Sequence, residues 1–268
     1  MDDSGAPLWS IVDPSWYRAF YPIVESLLGP DENPEEIYRQ YGQKLGHSPN
    51  PYFHELWYLA QNQDVQKTAA NGDIESGFSH YCQHGHRERA PHWLFKPDFY
   101  AQQFAARHGR GLQPETDGDP YTHFLRAGQH EGISGHWLFD PATYEALSPY
   151  EIVRAIQTDG PFTVFLSRLG LAQPEHVVSN FFDPAWYLQR YPEVEAGIAS
   201  GAWTSALEHY LTNGMPAVYD PSPLFSEHAY IAAYEDVRAA IAASKIRNGY
   251  EHYRLHGQFE KRPFFSGV

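Results

Sequence analysis

The chain has 268 residues, a formal net charge of −14 and one cysteine, Cys82. The acidic balance excludes a nucleic-acid surface and disfavours anionic lipid, because phosphate binding needs a concentrated basic patch, and a lone thiol excludes an internal disulfide. The opening MDDSGAPLWS has no basic n-region or long apolar run, and no stretch approaches the ~18 apolar residues of a bilayer span. A cytoplasmic chain without a membrane span is the expectation.

Two markers recur along the sequence. A tyrosine in a WY-like pair stands at Tyr17, Tyr58, Tyr100, Tyr144, Tyr187 and Tyr230, at intervals of 41, 42, 44, 43 and 43 residues. In step with it, a ring or leucine is followed four residues later by glycine: Tyr38 with Gly42, Tyr81 with Gly85, Phe124 with Gly128, Leu166 with Gly170, Tyr210 with Gly214 and Tyr253 with Gly257. Together they predict an all-α array over 1–268, solenoid-like or a compact bundle, of six units of ~43 residues with two or three short helices each. The units fall at approximately 10–51, 52–93, 94–137, 138–180, 181–223 and 224–265.

In the first unit Asp13-Pro14 reads as an N-cap followed by proline at the first helical position, and Trp16, Tyr17, Tyr21 and Val24 line one helical face. Pro22 ends or kinks that helix, and Asn33-Pro34 opens the last one. Glu35 and Ile37 stand where later units carry an apolar residue and a histidine, which fits a terminal cap with a wetter face.

The second unit contains HYCQHGH, where His80 and His84 are one turn apart with Cys82 and His86 close by. That spacing could hold zinc. His80, however, shares its place with His123, His209 and His252, so a structural task such as donating to a backbone carbonyl is expected, and no metal.

Trp93 and Trp137 precede LFKP and LFDP at equivalent unit junctions, and Trp203 also lies outside the marker pair. If exposed, these three could stack on sugar rings; if buried, they pack the junctions. The acidic loops GPDENPEE (Asp31, Glu32, Glu35, Glu36) and PETDGDP (Glu115, Asp117, Asp119) match no calcium loop, and Asp119 reads as a helix cap.

The fourth unit departs most, with SPYEIV in place of YPEVEA and with Thr163 and Phe165 where others carry an apolar residue and histidine. A bend in the array is expected there. Asp140-Pro141 and Asp183-Pro184 repeat the helix start, Pro149 and Pro192 the stop, and Ser205 with Glu208 and Asn248 with Glu251 read as capping boxes. The six marker glycines are expected to be left-handed helix C-caps.

FFDPAWYLQRYPEVEAGIASGAWTSALEHYLTNG and LFSEHAYIAAYEDVRAAIAASKIRNGYEHYRLHGQFEKRP resemble the bacterial repeats FDxxxYLxxYPDV…HYxxxGxxEGR. Those repeats accompany glycosyltransferases of cell-surface polysaccharide and RTX-type adhesins. The EGR triplet survives in part as HRERAP, QHEGIS and QFEKRP and is lost after Gly214. The resemblance implies an accessory module with a glycosyltransferase or other surface-polysaccharide protein as its partner.

No GxSxG, HExxH or phosphate-cradling glycine loop is present. A non-catalytic scaffold without a cofactor is therefore the leading expectation. The alternatives are a carbohydrate-binding module using exposed aromatics and an accessory part of a glycosyltransferase.

Overall fold

A computed structural model describes residues 6–27, 33–171, 177–180 and 182–264, apart from the Glu25 side chain. Among these residues the secondary structure is helical, with an isolated antiparallel bridge between Ser222 and Phe225. No described helix is long and apolar enough to cross a membrane. The chain divides into two compact units, Met1–Gly135 with Glu151–Gln173, and His136–Tyr150 with Pro174–Val268. The segment with the weakest sequence match is thus shared between the two.

Each marker tyrosine lies in the opening helix of a three-helix segment. The opening helices are Pro14–Phe20, Glu55–Gln61, Pro97–His108, Pro141–Leu147, Pro184–Arg190 and Glu227–Ala233. The middle ones are Ile23–Leu27, Gln63–Ala70, Pro114–Asp117, Tyr150–Asp159, Pro192–Ala199 and Glu235–Ala242. The closing ones begin as Pro34–Ile37, Gly77–Gln83, Pro120–His123, Pro161–Arg168, Ala206–Thr212 and Gly249–His252.

Local chemistry sets these boundaries. Asp13, Asp140 and Asp183 accept from the backbone N–H three residues on, at 2.9, 3.0 and 2.9 Å, which satisfies one of the donors every helix start leaves open. The first, fourth and fifth opening helices stop before Pro22, Pro149 and Pro192. The third has Ala105 at that offset and runs on to His108, where Gly109 at φ 68° ends it in the left-handed region.

The two sequence markers meet in space. Tyr17, Tyr58, Tyr100, Tyr144, Tyr187 and Tyr230 are all fully buried. Five of them touch the second marker edge to face: the Tyr17–Tyr38 and Tyr58–Tyr81 centroids are 5.5 and 5.6 Å apart, Tyr100–Phe124 5.1 Å, and Tyr187–Tyr210 and Tyr230–Tyr253 both 5.9 Å. Such contacts contribute about 0.5–1.5 kcal/mol each beyond area burial.

The marker glycines are not left-handed caps, with the exception of Gly170 at φ 73°. Gly42, Gly128 and Gly257 close the π-helical turns Tyr38–Gly42, Phe124–Gly128 and Tyr253–Gly257. Their role is close approach. A Cβ at Gly42, Gly85, Gly128 or Gly257 would sit 2.2–2.3 Å from the hydroxyl of the opening-helix tyrosine of the same segment. Gly214 has no such neighbour, because its helix ends at Thr212 and Asn213 caps it instead, with Nδ2 donating to the carbonyls of His209 and Tyr210.

Consecutive junctions are joined by backbone. The N–H groups of Asp13, His54, Lys96, Asp140 and Asp183 donate to the carbonyls of Pro49, Pro91, Gly135, Val178 and Pro221 at 2.8–3.2 Å. Immediately after each of these carbonyls stands a buried polar residue: Asn50, His92, His136, Ser179 or Ser222. Asn50, His92, His136 and Ser222 accept from the N–H two residues on, forming a tight turn. Three residues beyond each polar position, Phe53, Phe95, Phe139, Phe182 and Phe225 pack onto the next marker tyrosine at 5.1–5.8 Å.

Candidate functional site

The recurring polar side chains face inward and bond to one another. The hydroxyls of Tyr58, Tyr100, Tyr187 and Tyr230 meet Nδ1 of His80, His123, His209 and His252 at 2.9, 2.5, 2.8 and 3.0 Å. The expected structural task is therefore pairing with the marker tyrosine rather than with a backbone carbonyl. In the first segment, where Ile37 takes the histidine position, Tyr17 meets Nδ1 of His47 at 2.9 Å instead. His47 lies ten residues further along the chain, which is why no alignment of the two markers finds it. Its ring stacks on Tyr21 at 3.9 Å.

Burial holds all five imidazoles below their ordinary range, His209 down to about 4. It also raises the phenols, Tyr17 to about 12, with a further push from Tyr21. With the ring neutral and the phenol protonated, the tautomer sets the direction: Nδ1 accepts from the tyrosine when the ring hydrogen is on Nε2 and donates to it when the hydrogen is on Nδ1.

Two segments carry a buried glutamate at the start of the opening helix. Glu55 accepts from the N–H groups of Gly77 and Phe78 at 2.7 and 2.9 Å, and Glu227 from those of Gly249 and Tyr250 at 2.8 and 2.9 Å. Each carboxylate thereby caps the closing helix of its own segment. Glycine follows the N-cap there because a Cβ would sit 3.0 Å from Glu55 Oε1 or 2.8 Å from Glu227 Oε2. The first, third and fourth segments begin both opening and closing helices with proline, which has no N–H to satisfy. Burial raises Glu55 to about 7 and Glu227 to about 8 against the pull of those N–H donors.

The surviving arginines of the EGR-like triplets are clamps within a segment. Arg89 grips Asp64 through both terminal nitrogens at 3.0 and 2.8 Å, and Arg262 grips Asp236 at 3.0 and 2.7 Å. Each ties the end of the closing helix to the start of the middle one. These carboxylates are exposed, so the clamps are screened. Arg89→Ala and Arg262→Ala are each expected to lower the melting temperature slightly, by an amount that shrinks when thermal scans are repeated at 0.5 M salt.

The tryptophan expectation divides. Trp93 and Trp137 are 4% and 5% exposed, so neither offers a face for stacking on a sugar. Trp93 lies against His92 at 4.7 Å, and Trp137 against Tyr250 at 5.7 Å. Trp203 is half-buried, resting on Gly197 with His209 edge-on at 4.5 Å. Acrylamide is expected to quench Trp203 strongly and to spare Trp93 and Trp137; measuring quenching before and after Trp203→Phe and Trp93→Phe checks this.

His80, His84 and His86 do not converge. His80 is held by Tyr58, His84 lies 5.9 Å from His80 between ring centres, and His86 stacks on Trp9 at 5.6 Å. Among the described residues no group of three or more histidine, cysteine or acidic side chains is placed to hold a metal. Of the acidic loops, Asp31 and Glu32 lie outside the described residues, and Glu35 pairs with Arg39 at 2.7 Å. Arg110 and the Gln113 N–H hold Asp117 well below the usual carboxylate range, while Asp119 caps its helix at Thr122.

A groove of about 400 Å³ runs between the closing helices of the first two segments and the chain at Ser10–Val12. Gln43, Gln83, Ser79, Glu75 and the Glu35–Arg39 pair line it, above Phe78. Burial pushes the Cys82 thiol in its wall up to about 12, which keeps it protonated and a poor nucleophile.

Comparison with family models, with curated proteins and with solved structures finds none that matches this chain.

Proposed function

We propose that this chain is a non-catalytic interaction scaffold of bacterial cell-surface polysaccharide assembly that docks a protein partner. The observation that carries the reading is the direction in which its reactive side chains point. The recurring histidines and their tyrosines, and the buried Glu55 and Glu227, are engaged in hydrogen bonds within the fold, and catalysis needs such groups free to meet a substrate.

Where the fifth segment loses the arginine clamp, Met215, Val218 and Leu224 stand 60%, 62% and 52% exposed, and exposed apolar side chains of this kind serve contact better than chemistry. The polysaccharide setting rests on the resemblance of the repeats. Co-expression with a surface-polysaccharide glycosyltransferase from the same genome is expected to give co-elution on size exclusion, lost in Met215→Ser/Val218→Ser with the circular dichroism unchanged. Separate elution of the unaltered chain counts against the reading.

The groove favours a second reading, carbohydrate binding, because amide, hydroxyl and paired charged groups suit a polyhydroxylated ligand better than an apolar one. Calorimetric titration with capsular oligosaccharide tests it. Binding abolished by Gln43→Ala/Gln83→Ala supports it, and heats no greater than dilution refute it.

A further inference from the structure

We propose that the phenol–imidazole pairs are acid-sensitive latches: each three-helix segment that carries one stays closed while its imidazole is neutral and loosens when that ring takes up a proton. The geometry repeats five times, at Tyr17–His47, Tyr58–His80, Tyr100–His123, Tyr187–His209 and Tyr230–His252. In four of these the tyrosine hydroxyl also fills the space above a glycine, so ring and helix cannot shift independently. A protonated ring carries hydrogen on Nδ1. Where Nδ1 had accepted from the phenol, the hydroxyl must then turn away, and at the buried rings His123, His209 and His252 a charge is left where water is scarce.

One more histidine shares the dependence without ambiguity of tautomer. Nδ1 of His92 accepts from the backbone N–H of Leu94 at 3.1 Å, and burial holds that ring well below its ordinary range. Protonation abolishes that acceptor.

The charges around the latches neither cancel the effect nor replace it. His80 faces Arg89, His84, Asp64 and Glu88, and His123 faces Asp117, Arg126, Glu131 and His108. His209 faces Glu193 and Arg247, and His252 faces Arg262, Glu260, His256 and Asp236. His47 meets burial alone. In each case burial outweighs the nearby carboxylates, so the folded ring binds its proton later than the unfolded one.

The sign follows. A histidine depressed in the folded state contributes its full stability above about pH 6.5, its unfolded value, and loses it as pH falls through the folded value. For His209 that window runs from about 6.5 down to about 4. Glu55 and Glu227, raised to about 7 and about 8, act in the opposite sense, favouring the fold as pH drops from those values towards the ordinary carboxylate range. Five paired histidines act in the acid-sensitive sense against these two carboxylates. The fourth segment is exempt, since Phe165 occupies the histidine position.

Chemical unfolding of the full chain at pH 4.5–7 tests the proposal. Each latch multiplies the unfolding constant by up to tenfold per pH unit within its window. His209→Phe is expected to reduce the slope of log K against pH by close to one, and His228→Gln, an exposed ring outside the pairs, to leave it unchanged. An unchanged slope in His209→Phe overturns the proposal. Should that variant fail to fold, NMR titration of the unaltered chain decides: a His209 ring that stays neutral to below pH 5.5 supports the latch, and a midpoint at 6.5 or above refutes it.

Discussion

Gly257→Ala is expected to destabilise the protein by about 2–4 kcal/mol, the sum of an overpacked contact and a lost buried hydrogen bond. Gly214→Ala, at the same register position one segment earlier, is expected to change stability by less than about 0.5 kcal/mol. At Gly257 the new Cβ falls 2.3 Å from Tyr230 Oη, 3.3 Å from Tyr253 and 3.5 Å from His252 Nδ1. The hydroxyl cannot retreat while it holds His252, and the ring is packed between Phe225 and Tyr253. Nothing lies within 4 Å of the same atom at Gly214. Thermal scans of the two variants check this, with a fall of roughly 4–16 °C expected for the first at about 2–4 °C per kcal/mol. Equal melting temperatures would show that the glycine does not seat the tyrosine.

Glu227→Ala is expected to cost about 3 kcal/mol, because it leaves two buried backbone N–H groups, those of Gly249 and Tyr250, without their acceptor. The cost is expected to be partly recovered in Glu227→Ala/Gly249→Pro. Proline removes one of the orphaned donors, and it stands at this place in the closing helices that begin with Pro34, Pro120 and Pro161. Urea unfolding of the single and double variants, compared as a cycle, measures the recovery. A double variant less stable than Glu227→Ala would mean that proline does not fit the turn at Asn248.

Much of the fold was legible in the sequence because helix starts are local chemistry. Asp-Pro and Asn-Pro pairs announce their helices, and Pro22, Pro149 and Pro192 stop them, without help from distant residues. The capping boxes are also present, with a shift: Glu208 and Glu251 reach back to the N–H of Thr204 and Arg247, one residue before the caps Ser205 and Asn248.

What the sequence concealed depends on contacts across a segment. Glycine at the end of a helix usually signals a left-handed cap, and only the Tyr17 hydroxyl, 2.3 Å from where a Cβ would sit, reveals that Gly42 is there for space. His47 replaces a missing partner from outside the repeat register. Trp93 and Trp137 recur at junctions in a way that suits either burial or display, and the choice is made by neighbours such as Tyr250 that are far away in sequence. Glu55 and Gly77 form one structural decision made at positions 22 residues apart. The candidate docking residues Met215 and Val218 were visible only as a departure from the EGR pattern.

The stitches between junctions have a consequence for how such a chain changes length. Asp13 to Pro49, His54 to Pro91 and their successors are bonds between main-chain atoms, so no side chain makes them, although a buried polar residue follows each acceptor. A segment copied or excised in the gene at these points carries both the donor and the acceptor of its own stitch, because Asp13 and Pro49, or His54 and Pro91, stand at the two ends of one segment. Duplication or loss of a whole segment therefore leaves each remaining stitch with both of its ends, while each copy's surface is free to diverge.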